Sequence, residues 1–166
     1  DGEIKDVVAA QPAKFIKPSP MLARMLTQLR SGGKQVFLLT NSLTDVVMRF
    51  LLGESWLDYF DLAICGGRKP GFLLDPYLPL FLVREDHSLE NVEIGAGFSA
   101  PTLLRQSKVF QGGNWNHLHK LLGLSSGANL MYVGDHMYSD ILRSKRTLGW
   151  RTVLIIPELD GEMEQM

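Results

Sequence analysis

The residues best suited to chemistry are two carboxylates that follow an apolar, strand-like segment late in the chain. Residues 130–133 lead directly into Gly134-Asp135-His136, and Asp140 comes five residues after Asp135. A carboxylate at the end of a buried strand can hold Mg²⁺, a hard cation that takes oxygen ligands and often bridges to a substrate phosphate. We therefore expect Asp135 to bind the metal and Asp140 to orient either a metal-bound water or a nearby cationic side chain.

Two further polar groups also follow apolar runs of strand length. Thr40-Asn41-Ser42 follows the run 35–39, and Lys69 follows the run 60–65. A threonine hydroxyl and neighbouring backbone N–H groups can donate to phosphoryl oxygens, and a lysine ammonium neutralises charge that develops in phosphoryl transfer. Because ligands of open parallel sheets bind outside the carboxyl ends of the strands, we expect Thr40, Lys69 and Asp135 to surround one small volume.

Each of these motifs has a plainer structural interpretation when it stands alone. Thr40-Asn41-Ser42 is typical of a helix cap, and Arg68-Lys69-Pro70 is typical of a solvated turn. A turn with an N-capping aspartate explains the segment from Gly134 to Asp140 equally well. The occurrence of all three in order, each after a predicted strand, favours a phosphate site.

The elements that must position these residues alternate between strand-like and helix-like segments, which predicts an α/β fold with a parallel sheet flanked by helices. Ser19 and Pro20 predict the start of the first strong helix. The predicted helices are 21–30, 44–52, 114–122 and 139–148, with a terminal helix from Pro157, and the predicted strands are 35–39, 60–65, 130–133 and 152–156. Residues 71–108 are less regular, and we expect a hairpin there that pairs 78–84 with 90–94.

The composition is that of an ordinary soluble globular protein, with 45% hydrophobic and 21% charged residues among 166. Seventeen basic and eighteen acidic residues give a net charge of -1, which argues against a general nucleic-acid surface. No apolar run approaches the roughly 18 residues that span a bilayer, so no membrane association is expected. The single cysteine, Cys65, favours a reducing compartment, and we expect a cytoplasmic protein. The chain lacks an initiator methionine, and we expect it to begin inside a longer protein.

The histidines offer weaker candidates. His117 and His119 lie two residues apart on a predicted helix, so they do not face one another, and we expect both at the surface. His136 adjoins Asp135, where it could contact substrate or pack within the loop.

The motifs become recognisable when they are taken together. In order along the chain they are Phe37-Leu38-Leu39-Thr40-Asn41-Ser42, Tyr59-Phe60-Asp61, Arg68-Lys69-Pro70, Gly134-Asp135-His136-Met137-Tyr138-Ser139-Asp140 and Gly149-Trp150-Arg151-Thr152. They closely resemble the cytosolic purine 5'-nucleotidase family and its 5'-nucleotidase-domain-containing relatives, which belong to the haloacid-dehalogenase-like (HAD-like) superfamily. The resemblance covers about residues 20 to 163 and is weakest between 73 and 108.

The resemblance implies a fold, a reaction and residue roles. The fold is a HAD-like Rossmannoid parallel sheet with flanking helices. The reaction is Mg²⁺-dependent hydrolysis of a nucleoside 5'-monophosphate, with purines preferred, through an aspartyl-phosphate. Thr40 would bind the transferring phosphoryl group, Asn41 and Ser42 would line the phosphate pocket, and Lys69 would stabilise the phospho-aspartate. Asp135 would be a Mg²⁺ ligand, and Asp140 belongs to the same motif.

One part of the family's pattern is missing. The first motif of the family is an Asp-x-Asp on the central first strand, which supplies the nucleophile and the general acid, and no Asp-x-Asp occurs in this chain. We therefore expect residues 1–166 to form a partial HAD-like core domain, with an irregular insertion at 71–108, that is inactive alone. The alternative is a non-catalytic binding or interaction module. Because a missing central strand leaves unpaired sheet edges, we also expect marginal stability and a tendency to associate, including as a homo-oligomer.

Overall fold

The computed structural model describes residues 2–41 and 44–163 as a mixed α/β structure. Its helices are α1 (Gly2–Ala10), α2 (Pro12–Phe15), α3 (Pro20–Ser31), α4 (Thr44–Leu52), α5 (Gly71–Leu74), α6 (Ala100–Gln106), α7 (Trp115–Leu122), α8 (Arg143–Leu148) and α9 (Glu158–Met163). Its strands are β1 (Phe37–Leu39), β2 (Leu62–Cys65), β3 (Leu80–Val83), β4 (Leu89–Asn91), β5 (Val109–Gly112), β6 (Met131–Gly134) and β7 (Arg151–Leu154). Short 3₁₀ turns precede β2 and β6, at Trp56–Tyr59 and Gly127–Asn129.

The larger sheet has five strands in the order β1-β2-β5-β3-β4. Strands β1, β2 and β5 are parallel, with Leu38 opposite Ala63 and Ile64 opposite Phe110. Strand β3 runs antiparallel to both β5 and β4. The mostly parallel sheet with flanking helices confirms the predicted α/β, Rossmann-like fold.

The smaller sheet consists of β6 and β7, which pair in parallel with Val133 opposite Val153. Within the described residues no strand pairing joins β6 to β1, so the strands form two sheets. Side chains bridge the division, since the ring of Phe37 in β1 stacks on the ring of Tyr132 in β6 with centroids 6.4 Å apart. Unpaired edges are the expectation for a core that lacks its central strand, and among the described residues β1 and β6 each have an edge without a paired neighbour.

The hydrophobic core lies on both faces of the larger sheet. One cluster gathers buried side chains from β2, β3, β5 and α7, and it reaches Tyr132 of β6 and Trp150, the residue just before β7. The other cluster packs α3 and the 3₁₀ turn before β2 against Ala63, through Leu26, Trp56 and Phe60. Alternate residues of β2 therefore contact opposite clusters, which is why this strand is apolar throughout.

Local sequence accounts for several element boundaries. Pro20 is the first residue of α3, as predicted, although Ser19 makes no side-chain capping bond. Asn114 caps α7 by accepting hydrogen bonds from the backbone N–H groups of Asn116 and His117. Gly123 ends the same helix in the left-handed conformation, with φ of 66°.

Two element predictions need adjustment, and a third is confirmed with an extension. The run 35–39 yields only the short edge strand Phe37–Leu39, and two of its three residues are half-buried because one edge of the strand has no neighbour within the part of the chain that the structure describes. The predicted helix 139–148 begins as a π-helical turn, Met137–Leu142, before α8. The hairpin predicted within 71–108 is confirmed as β3–β4, and β3 also pairs with β5, so this hairpin extends the larger sheet.

Among the described residues, no helix combines the length and the apolar character that crossing a bilayer requires.

Candidate functional site

The loop after β1 is tied to the loop after β2. The Thr40 N–H donates to the Ile64 carbonyl at 3.0 Å, and the Thr40 carbonyl accepts from the Gly67 N–H at 3.0 Å. The Asn41 side-chain oxygen accepts from the Lys69 N–H at 2.9 Å, and its amide nitrogen donates to the Lys69 carbonyl at 3.4 Å. Asn41 therefore fixes the backbone on either side of the Lys69 side chain, while the third predicted member of this group, Ser42, lies outside the described residues.

The loop after β2 packs closely on β1, which leaves little room for a side chain at Gly67. Gly67 is buried, and a Cβ added there would lie 2.8 Å from Leu39 Cδ1, so a larger residue would force the Leu39 side chain to move. Arg68 adopts a left-handed backbone with φ of 51°, which turns the chain sharply before Lys69. The loop thus delivers the Lys69 side chain, 13% exposed, toward β6.

The turn after β6 is built around Asp140, which is 3% exposed. A Cβ added at Gly134 would lie 2.7 Å from Asp140 Oδ2 and 2.8 Å from Asp140 Cβ, so glycine is needed where the aspartate packs on the strand end. The π-helical turn places this side chain inward, and the Ser144 hydroxyl donates to the Asp140 carbonyl. Asp135, in contrast, is exposed just beyond the carboxyl end of β6.

Lys69, Asp140 and Tyr132 meet where the two sheets face each other. The Lys69 Nζ lies 2.9 Å from Asp140 Oδ1 and donates to the Tyr132 hydroxyl at 2.7 Å. The same hydroxyl lies 3.4 Å from Asp140 Oδ1, a longer contact in which the tyrosine donates. The ammonium is 5.5 Å from the Tyr132 ring centroid, so the hydroxyl makes the close contact and the ring face does not.

Burial and pairing act in opposite directions on the lysine. Burial lowers the pKa of the Lys69 ammonium, but the hydrogen bonds and charges of Tyr132 and Asp140 outweigh it, and the pKa is raised above its ordinary value. Burial raises the pKa of the Tyr132 hydroxyl, an effect that the neighbouring Lys69 charge only partly offsets. At neutral pH the site therefore contains a cationic Lys69 beside a neutral Tyr132 hydroxyl.

The carboxylates of the site determine whether it could hold Mg²⁺, which takes oxygen ligands. Among the described residues, no group of three or more His, Cys, Asp or Glu side chains could enclose a metal ion. Magnesium usually keeps several waters and is bound through one or two carboxylates together with substrate phosphate. Asp135 fits that pattern because its carboxylate is exposed at the strand end and has no hydrogen-bond or ion-pair partner among the described residues. Its role as a metal ligand stays a prediction.

Two features of this region escaped the sequence patterns. The sequence pattern places Tyr132 only within the apolar strand segment 130–133. A buried tyrosine hydroxyl nevertheless requires a hydrogen-bond partner, and so it indicates a polar neighbour. His117 and His119 were predicted at the surface, but both are half-buried, and His119 Nε2 accepts a hydrogen bond from Trp150 Nε1 at 2.9 Å. The surface prediction is wrong, since the His119 ring packs against the rings of Trp115 and Trp150, and the His117 Nδ1 atom is buried.

Comparison with known proteins places the chain among its relatives. The sequence model described as the 5' nucleotidase family matches residues 1–166. The human protein named 5'-nucleotidase domain-containing protein 2 is 36% identical over 155 residues, which cover 90% of this chain. The same match covers 28% of the human protein, so the chain spans less than a third of the length of that relative.

Proposed function

The chain belongs to the 5' nucleotidase family, and from that premise we propose that it forms the phosphate-binding and metal-binding part of a Mg²⁺-dependent 5'-nucleotidase. The observation that carries the proposal is the meeting of Lys69 with buried Asp140, at 2.9 Å, next to the loop that holds Thr40 and Asn41. The substrate is a nucleoside 5'-monophosphate, with purines preferred. A nucleotidase-like function follows from the family, whereas the base and the mechanism are part of the proposal.

In this proposal each residue has a separate task. Thr40 and the backbone beside it hold the phosphoryl group, with Asn41 and Ser42 lining the pocket. Lys69 supplies fixed positive charge at the phosphoryl oxygens, where charge shifts during transfer. Asp140 holds Lys69 in place, and Asp135 binds the Mg²⁺. When bound, the metal ion neutralises phosphate charge and orients the group for attack.

The attacking carboxylate is the part that this chain does not supply. Aspartyl-phosphate chemistry needs a carboxylate in line with the phosphoryl group, and none of the 166 residues belongs to an Asp-x-Asp motif. We propose that the chain alone does not turn over and that hydrolysis needs a strand carrying that motif. Among the described residues, β1 and β6 each have an unpaired edge, and in this proposal the missing strand pairs with both and completes one sheet.

The test is phosphate release from AMP, GMP, IMP, CMP and UMP in the presence of Mg²⁺. The 166-residue chain is compared with a version extended upstream to include an apolar strand that ends in Asp-x-Asp. We expect turnover only from the extended version, and fastest on the purine nucleotides. Turnover by the 166-residue chain would refute the assignment of a missing nucleophile, and an upstream sequence without such a strand would favour the non-catalytic module.

Asp135 has its own test, which does not depend on turnover. Asp135→Asn should weaken Mg²⁺ binding to the chain by about tenfold, as expected when one charged ligand of a hard cation is lost. Isothermal titration measures it, and Asp58→Asn, at an exposed position in the 3₁₀ turn before β2, is the matched control. Equal Mg²⁺ affinity of Asp135→Asn and the unmodified chain would remove Asp135 from the metal site.

The proposal also covers the cellular compartment and the oligomeric state. Cys65 is a free, half-buried thiol, which suits the reducing cytoplasm that we propose as the compartment. Sedimentation equilibrium tests the proposed homo-oligomer, and a concentration-independent monomer would count against it.

A further inference from the structure

We propose that Tyr132 is a positioning residue for the phosphate site, whose hydroxyl fixes the Lys69 ammonium at the junction of the two sheets. The importance of this role for phosphate binding rests on the proposed function, whereas the contact between Tyr132 and Lys69 is taken from the geometry. Tyr132 lies in β6 and is 5% exposed, and its hydroxyl accepts from Lys69 Nζ at 2.7 Å. That distance is shorter than the one between the ammonium and the Asp140 carboxylate.

The ring of Tyr132 is held from two sides. It stacks on Phe37 of β1 with an interplanar angle of 10°, and it meets Trp150 edge-on with centroids 5.8 Å apart. A tyrosine has few rotatable bonds, so a ring clamped in this way fixes the position of its oxygen. Lys69, in contrast, carries its charge on a flexible four-carbon stem that gains a defined position only from its partners.

The count of hydrogen-bond donors shows what the arrangement leaves available. An ammonium has three N–H donors and no acceptor. Tyr132 and Asp140 occupy two of them among the described residues, which leaves one donor for an oxygen of a bound phosphoryl group.

The chemical nature of the second partner also matters. Asp140 already balances the lysine charge, so a second carboxylate in place of Tyr132 would make the cluster anionic and repel phosphate. A neutral hydroxyl holds the ammonium without adding negative charge. Tyr132 therefore suits an anion-binding site better than an acidic residue would.

The decisive experiment observes Lys69 directly in the 166-residue chain. The ammonium signal of Lys69 is recorded by ¹⁵N-labelled lysine NMR and assigned by its loss in Lys69→Met. Tyr132→Phe keeps the ring contacts and removes only the oxygen, so we expect hydrogen exchange of the Lys69 ammonium to speed up by about tenfold and its signal to shift. Tyr59→Phe, a half-buried tyrosine in the other core cluster, should leave both unchanged.

Thermal unfolding of the same variants separates positioning from packing, since Tyr132→Phe should leave the unfolding midpoint close to that of the unmodified chain. An unchanged Lys69 signal and exchange rate in Tyr132→Phe would overturn the inference.

A titration with inorganic phosphate separates the inference from the proposed function. In the unmodified chain, phosphate should shift the Lys69 signal, and Tyr132→Phe should bind phosphate about tenfold more weakly. No response of Lys69 to phosphate in the unmodified chain would refute the proposed phosphate site, while the exchange measurement would still decide the role of Tyr132. Equal phosphate affinities of Tyr132→Phe and the unmodified chain would overturn the positioning role.

Discussion

The two sheets differ in how completely they are covered. In the larger sheet, Leu62, Ala63 and Ile64 are all 0% exposed, because helices or turns pack on both faces. In the smaller sheet, Tyr132 is 5% exposed, whereas its neighbours Met131 and Val133 on the opposite face are 56% and 54% exposed. Parallel strands are usually buried on both faces. The smaller sheet departs from this rule, because the described residues leave its face with Met131 and Val133 half-exposed.

The difference shows where the stability of the chain lies and where its chemistry lies. The larger sheet supplies the core and the loops that carry Thr40 and Lys69, and the smaller sheet supplies Asp135, Asp140 and Tyr132. Among the described residues, three polar links cross between them, from Lys69 to Asp140, from Lys69 to Tyr132 and from Trp150 to His119. The candidate site therefore depends on a junction that is held by few groups.

The largest effect is expected from a cavity in the larger sheet. Phe110→Ala in β5 removes a side chain that is 0% exposed and should lower the free energy of unfolding by about 3–5 kcal/mol. Val133→Ala in β6 removes a side chain that is 54% exposed and should change it by less than about 0.5 kcal/mol. Urea unfolding measures both, and equal losses would show that the smaller sheet is covered in solution.

A smaller but still large effect is expected at the junction. Asp140→Asn leaves Lys69 half-enclosed without its charged partner and should cost about 3 kcal/mol, the lower end for breaking a buried pair because Lys69 is 13% exposed. The control is Glu90→Gln, which breaks the Arg84–Glu90 pair, where both side chains are 49% exposed, and should cost less than about 1 kcal/mol. Similar costs for the two variants would mean that water reaches the junction freely.

Alkaline pH should loosen the same junction without a mutation. Lys69 has a raised pKa in the folded chain, so its contribution is complete below its unfolded pKa of about 10.4 and is lost as the pH rises through the folded value. The raised pKa of Tyr132 acts in the same direction, from about pH 10 upward. Urea unfolding at pH 9 to about 11 should show a steeper loss for the unmodified chain than for Lys69→Met. Parallel curves would contradict the raised pKa of Lys69.

The parts of the fold that sequence predicted well depend on neighbouring residues. The apolar runs located most strands, and Asn114 and Gly123 are typical first and last positions of a helix. The expectation that polar residues follow the carboxyl ends of parallel strands placed Thr40, Lys69 and Asp135 on the loops after β1, β2 and β6. What escaped prediction depends on residues far apart in the chain. The π-helical turn at Met137–Leu142 contains Asp140, whose ion pair with Lys69 joins two distant parts of the chain, and no local pattern encodes that contact.

Tyr132 shows the same limit at the level of a single side chain. Its position within an apolar run indicated burial, and burial is what the structure has. Its hydrogen bond with Lys69 spans 63 residues of sequence, so the partner could be inferred only after the two sheets had been placed side by side. The presence of a polar partner was predictable from the hydroxyl group, and its identity was not.

The smallest expected effect concerns the bond between Trp150 and His119 across the junction. Burial lowers the pKa of His119, and its Nε2 accepts from Trp150 Nε1 at 2.9 Å, a bond that the protonated imidazole cannot make. The neutral form is favoured in the folded chain, so this contribution is present above the unfolded pKa of about 6.5 and is lost as the pH falls below it. His119→Gln should flatten the decline in stability between about pH 6.5 and 5, whereas His87→Gln, at an exposed turn position, should not. If both variants kept the full decline, the Trp150–His119 bond would contribute nothing to joining the two sheets.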